Sequence, residues 1–137
     1  MSEQFDPLAQ KAEADAIVER AAQGLSRLLK EAVARLDPFP SFPGAYFTLA
    51  IEAEPDAASH ADRGCVVVGA DGELYELTMG LELPPAPGEP VDPVSMRKEE
   101  MRKLDLHPRD YVVYAYNALT RVVEILLEQE EGRSAQG

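Results

Sequence analysis

Cysteine occurs once in the 137-residue chain, at Cys65, and tryptophan does not occur. A lone cysteine excludes an intramolecular disulfide and a cysteine-based metal cluster, and it fits a reducing compartment. Histidine is found only at His60 and His107, too far apart for the paired arrangement of zinc hydrolases. No apolar run reaches the roughly 18 residues needed to cross a membrane, and Met1-Ser2-Glu3-Gln4-Phe5-Asp6-Pro7 has neither a basic nor an apolar leader region. These absences predict a cytoplasmic protein without a membrane partner. Gly69, Gly72, Gly80 and Gly88 form neither a G-x-G-x-x-G nor a Walker pattern, so no phosphate cradle is expected.

Basic residues are also scarce in the middle of the chain. Residues 45–93 hold ten acidic side chains and one basic one, Arg63, and so carry −9 of the formal net charge of −12. A negative field of this kind repels phosphates and favours cationic partners, which argues against nucleic acid and for a basic protein or peptide.

The apolar pattern gives the architecture. Asp6-Pro7 is a cap followed by a residue preorganised for the first helical position, and it opens a long helix that Asp37-Pro38 ends. Val18, Ala22, Leu25, Leu29, Ala32 and Leu36 recur every three or four residues, with Ile17, Ala21 and Leu28 beside them. Such a stripe suits a core helix lying across a sheet, or one that also pairs with its copy. Gly24 would mark a close crossing. The loop 37–44 contains three prolines and two aromatics, Phe39 and Phe42, which either plug the end of the core or form a partner-docking loop.

Residues 45–54 alternate as a half-buried strand, with Phe47, Leu49, Ile51 and Ala53 on the dry side. Asp71-Gly72 between two β-rich runs reads as a two-residue type I′ hairpin turn, pairing Val68 with Tyr75 and Val66 with Leu77 on that dry side. The other side would be wet and acidic, displaying Thr48, Glu52, Glu54, Glu76, Thr78 and Glu82, together with Cys65.

Residues 84–93 hold five prolines and read as an extended connector. Asp92-Pro93 repeats the cap signature and predicts a short helix through Leu104. His107-Pro108 opens the last helix, roughly 108–131, whose seams Tyr111/Ala115/Ala118/Val122/Ile125 and Val112/Leu119/Val123/Leu126 need cover on more than one side. Residues 132–137 read as a disordered tail.

The expected fold is therefore a single α+β domain over 1–137. It has two layers, a three-stranded antiparallel meander in the order α-β-β-β-α-α with long helices packed on one face. The expected function is that of a small acidic binding or assembly module working through protein–protein contacts as a homodimer. One alternative is a small-ligand sensor with a pocket between sheet and helices lined by Tyr75, Met79, Tyr111 and Tyr114. Another is a metal-dependent enzyme built on the acidic loop, with Glu54, Asp56, His60 and Asp62 as ligands, although their spacing matches no compact metal motif. Neither a catalytic nucleophile nor a cofactor is expected. Ser59-His60 lacks a nucleophile elbow, and glutamates near Cys65 would keep its thiol protonated.

Overall fold

The structure, a computed structural model, describes residues 4–54, 64–81 and 97–136. Within these residues the chain is α+β: helix α1 (Pro7–Val33), strands β1 (Ile51–Glu52), β2 (Cys65–Val68), β3 (Leu74–Leu81) and β4 (Arg97–Lys103), and helix α2 (Pro108–Gln136). The strands form one antiparallel sheet in the order β1-β2-β3-β4.

Both helices start where the sequence places them. Asp6 is extended, and its carboxylate accepts from the N–H groups of Leu8 (3.0 Å) and Ala9 (3.4 Å), satisfying donors that the first turn leaves free. At α2 the donor Arg109 N–H meets Nδ1 of His107 at 3.2 Å, and Asp110 adds negative charge at the positive end of the helix dipole. The helix continues to Gln136, through residues expected to form a disordered tail.

Two expectations for the sheet change. First, Arg97–Lys103 is a strand and not a helix: it pairs with β3 along seven residues, from Tyr75↔Lys103 to Leu81↔Arg97. Its sequence is rich in helix formers, but pairing with the outer side of β3 overrides a weak local propensity. A charged strand with lysines is also what an edge position favours. The meander accordingly has four strands.

Second, the hairpin register differs by one residue. Gly72 alone in the turn has positive φ (79°), whereas a type I′ turn requires two such residues. Gly72 N–H donates to Gly69 O and Gly69 N–H to Glu73 O, which makes a three-residue loop, a type I turn closed by a left-handed glycine. The observed partners are Cys65↔Leu77, Val66↔Glu76, Val67↔Tyr75 and Val68↔Leu74. A slip of one residue moves one strand's side chains to the opposite face relative to its neighbour.

The sheet consequently has two dry faces. On one, Ile51, Ala53, Val68 and Leu74 pack with Leu29 and Val33 of α1, with Leu36 just beyond it, and with Ala115, Ala118 and Val122 of α2. On the other, Cys65, Val67 and Leu77 pack with Ala50 and Phe42, flanked by Tyr75, Met79 and Met101. The cover on this second face comes from the segment after α1. It turns at Gly44 (φ 86°), where Phe42 N–H donates to Thr48 O, and leaves an isolated bridge, Ser41↔Leu49, before the short β1. The clean alternation expected over 45–54 therefore breaks: Ala50 and Ile51 are both buried, while Phe47 and Leu49 are exposed.

α2 lies against β1 and β2, and α1 packs along α2 instead of crossing the sheet. The C-terminal ends of the helices are joined by Gln129, which accepts from Asp37 N–H (3.1 Å) and donates to Pro38 O (3.0 Å). Lys30 reaches Glu73 at 2.9 Å, tying α1 to the hairpin turn. A Cβ on Gly24 would meet nothing within 4 Å among the described residues, so that residue marks no close crossing among them.

Candidate functional site

The acidic surface expected on one sheet face is divided between two. Thr48, Glu52 and Glu54 belong to the chain that covers or borders the second face, with Glu52 opposite Val67. Glu76 and Thr78 project from the opposite face, because Glu76 pairs with Val66 and alternates with Leu77. Glu82 lies outside the described residues. The individual carboxylates have structural partners: Glu54 Oε1 accepts from Val66 N–H at 2.9 Å, and Glu76 reaches Arg102 at 3.4 Å. Oε1 of Glu52 is buried without a hydrogen-bond partner among the described residues.

The expected ligand pocket is divided for the same reason. Tyr111 and Tyr114 pack on the helix side of the sheet, whereas Tyr75 and Met79 pack on the other, so these four side chains do not line one cavity. Tyr75 is instead hydrogen-bonded to Asp71. That bond, with burial and the nearby charges of Asp71 and Glu73, pushes its phenol up to about 12.

Of the metal candidates, Asp56, His60 and Asp62 lie outside the described residues. Among the described residues no group of three His, Cys, Asp or Glu side chains could hold a metal ion. Burial pushes the Cys65 thiol up, and Glu52 and Glu54 add to the shift, so the group stays protonated at neutral pH. No helix among the described residues is long and apolar enough to cross a membrane.

Phe42 is buried and Phe39 packs against the helix-side core, so both plug the core and neither offers a docking aromatic. In this segment the exposed aromatics are their neighbours Tyr46 and Phe47, the latter 66% exposed, with Leu49 beside them. Glu99 of β4 holds this turn in place. Its carboxylate accepts from Tyr46 N–H (2.7 Å), Phe47 N–H (3.0 Å) and the Thr48 hydroxyl (2.7 Å). Burial works against the charge, but these hydrogen bonds outweigh it and hold the carboxyl below the usual glutamate range. A groove of about 590 Å3 runs between Phe47, Thr48 and Leu49 on one side and Lys98, Glu99, Glu100 and Met101 on the other.

Glu99→Gln keeps the shape and removes the charge, so it should lower stability by about 1–2 kcal/mol at neutral pH. Because the folded carboxyl titrates below its unfolded value, its contribution is complete above the ordinary glutamate range. It is lost as pH falls through the folded pKa. Urea melts between pH 7 and pH 3 should show the wild-type and Glu99→Gln midpoints converging at the acid end.

The second exposed surface is the outer side of the helix pair. At roughly 100° per residue, Val113, Tyr116, Thr120, Val123 and Leu127 form one stripe of α2, facing away from the buried Ala115, Ala118 and Val122. Tyr116 is 63% exposed, and Val113, Val123 and Leu127 are exposed as well. On α1 the exposed Ile17, Ala21 and Leu28 form a matching stripe. The end of α1 borders the α2 stripe, since Arg35, in the turn just after α1, lines a groove of about 390 Å3 together with Val123, Leu126 and Leu127.

No family model, curated protein or solved structure matches the chain. The functional reading therefore rests on these surfaces. Sequence periodicity contained the helix stripe, in Ile17, Ala21, Leu28 and Val123. The Tyr46-Phe47 turn was hidden because the alternation assigned Phe47 and Leu49 to the core.

Proposed function

We propose that the chain is a binding and assembly module whose outer helix face receives the same face of a second copy, forming a four-helix contact. The observation that carries this reading is the pair of exposed apolar stripes, Ile17, Ala21 and Leu28 on α1 and Val113, Tyr116, Val123 and Leu127 on α2. Charge supports a second copy as the occupant. The far edge of α1 carries Arg20 and Arg27, the latter paired with Glu31 at 3.6 Å, and the far edge of α2 carries Glu131 and Glu124, the latter paired with Arg121 at 2.9 Å, so a two-fold that lays α1 on the partner's α2 lets pairs of both signs continue across the contact. The helices themselves are nearly neutral, with four basic and four acidic residues in α1 and three and five in α2, so the strong net charge does not oppose this contact.

The test is sedimentation equilibrium of the wild type and of Tyr116→Glu/Val123→Glu. Both positions are exposed, so the fold should survive, as circular dichroism would show. Desolvating four added carboxylates per contact should weaken association by about a hundredfold or more. An unchanged mass for the double variant, or a monomeric wild type at 100 µM (about the upper end of ordinary assay concentrations), would sink the reading.

A further inference from the structure

Among the described residues β4 is the outermost strand of the sheet, and its charges, beyond the contacts that Glu99, Glu100 and Arg102 make within the chain, follow a further order along the strand. About Met101 they are antisymmetric except at Lys98, which falls opposite Leu104: Glu100 is balanced by Arg102, Glu99 by Lys103, and Arg97 by Asp105. We propose that β4 pairs antiparallel with β4 of a second copy across a two-fold axis at Met101, joining two four-stranded sheets into one of eight strands.

The backbone narrows the possible registers, and the charges then choose among them. Leu104 N–H donates to Leu74 O at 3.0 Å, so Leu104 and, by alternation, Arg102 and Glu100 direct their peptide groups at β3. Met101 and Lys103 direct theirs away from it. An antiparallel neighbour on that side must pair outward residues with outward residues, which permits two-fold centres at Glu100, Met101 or Arg102 but none between consecutive residues. A centre at Glu100 sets Glu100 against its copy and Lys98 against Arg102. A centre at Arg102 sets Arg102 against its copy and Glu99 against Asp105. Only Met101, among these three, opposes no like charges, giving two Glu100–Arg102 and two Glu99–Lys103 pairs.

The groove beside β4 supplies the apolar part of the contact. Consecutive residues of a strand point to opposite faces, so Lys98, Glu99, Glu100 and Met101 line one groove only where it runs along the strand's edge. Its far wall holds Phe47 and Leu49, both exposed. The incoming strand would set its Met101 and Lys103 stem against them. β4 carries four basic and two acidic residues, so it is a cationic strip in an acidic chain, and two copies can approach there against the overall repulsion. Arg102 is free to turn toward the partner: its side chain is 79% exposed and its ion pair with Glu76 is long, at 3.4 Å.

This contact is distinct from the helix face, and the experiment separates the two by working in the Tyr116→Glu/Val123→Glu background. There the chain should remain dimeric. Glu100→Arg and Arg102→Glu should each weaken that dimer at least about tenfold, since symmetry doubles every like-charge clash. The combined Glu100→Arg/Arg102→Glu chain should return to within a few-fold of the starting affinity. A Met101→Cys chain should cross-link to a dimer under mild oxidation, because the two-fold sets its Cα atoms about 5.5 Å apart, within disulfide range. A monomer in that background, single variants that dimerise unchanged, or a charge-swapped double variant no better than the singles would each overturn the proposal. So would a Met101→Cys chain that cross-links no more than Thr78→Cys on the sheet interior.

Discussion

Val67→Asp should leave no folded protein at neutral pH. Val67 is fully buried in the sheet's second core, between Glu52 of β1 and Tyr75 of β3, with Phe42, Ala50 and Leu77 around it. An aspartate there would be surrounded by apolar side chains. It would also sit beside Glu52, whose Oε1 is buried without a partner among the described residues. A buried unpaired carboxylate next to a like charge costs more than the roughly 4–5 kcal/mol that marks the most damaging substitutions. That is comparable to the whole stability of an ordinary domain, about 5–15 kcal/mol. Thr78→Asp, on an exposed position of β3, should fold with a midpoint close to wild type. The pair discriminates sharply, because a sheet with one wet face would tolerate both substitutions alike. Circular dichroism and urea titration of the two variants decide it, and a Val67→Asp protein with a native spectrum and midpoint would refute the two-sided core.

That expectation turns on the single residue of register that could not be read from the sequence. The position of the hairpin was legible in Asp71-Gly72, and so were both helix starts, since a cap and a proline act within a few residues of each other. Turn type was not. Asp-Gly serves a type I′ turn and also a type I turn closed by a left-handed glycine, and only the positive φ of Gly72 without one at Asp71 separates them. Every assignment of face downstream of that choice changed, which is why Glu76 and Thr78 part from Glu52 and Glu54, and Tyr75 from Tyr111. The fourth strand was illegible for a different reason. Arg97–Lys103 has no β-branched or aromatic residue, and its strand form comes from seven pairings with β3 rather than from its own preferences. The Phe42 plug and the Glu99 clasp on residues 46–48 are also non-local, so periodicity contains no trace of them.

Leu29→Ala and Leu8→Ala apply the same change to one helix and should differ by most of the stability scale. Leu29 is completely buried among Val33, Leu36, Ala115, Ala118 and Val122, and it is the largest fully buried side chain of α1. Truncating it removes buried methyl groups and leaves a cavity walled by α2, a loss of about 2–5 kcal/mol. Leu8 is 82% exposed, and its truncation should shift the midpoint by less than about 0.5 kcal/mol. The contrast follows from how α1 is held. Its residues up to Ile17 are exposed, and its buried positions gather at Leu29 and Val33, followed by Leu36, where the Lys30–Glu73 pair and the Gln129 bonds add their support. Leu28, one residue from Leu29 but on the outer stripe, supplies the link to assembly. Leu28→Ala should cost little in a dilute melt and progressively more as protein concentration rises, because in the proposed assembly its cover would come from the second copy. Thermal melts over a hundredfold range of concentration measure this directly. A Leu28→Ala deficit that stays constant across the range would place that residue's packing within the chain and remove the outer face from the assembly.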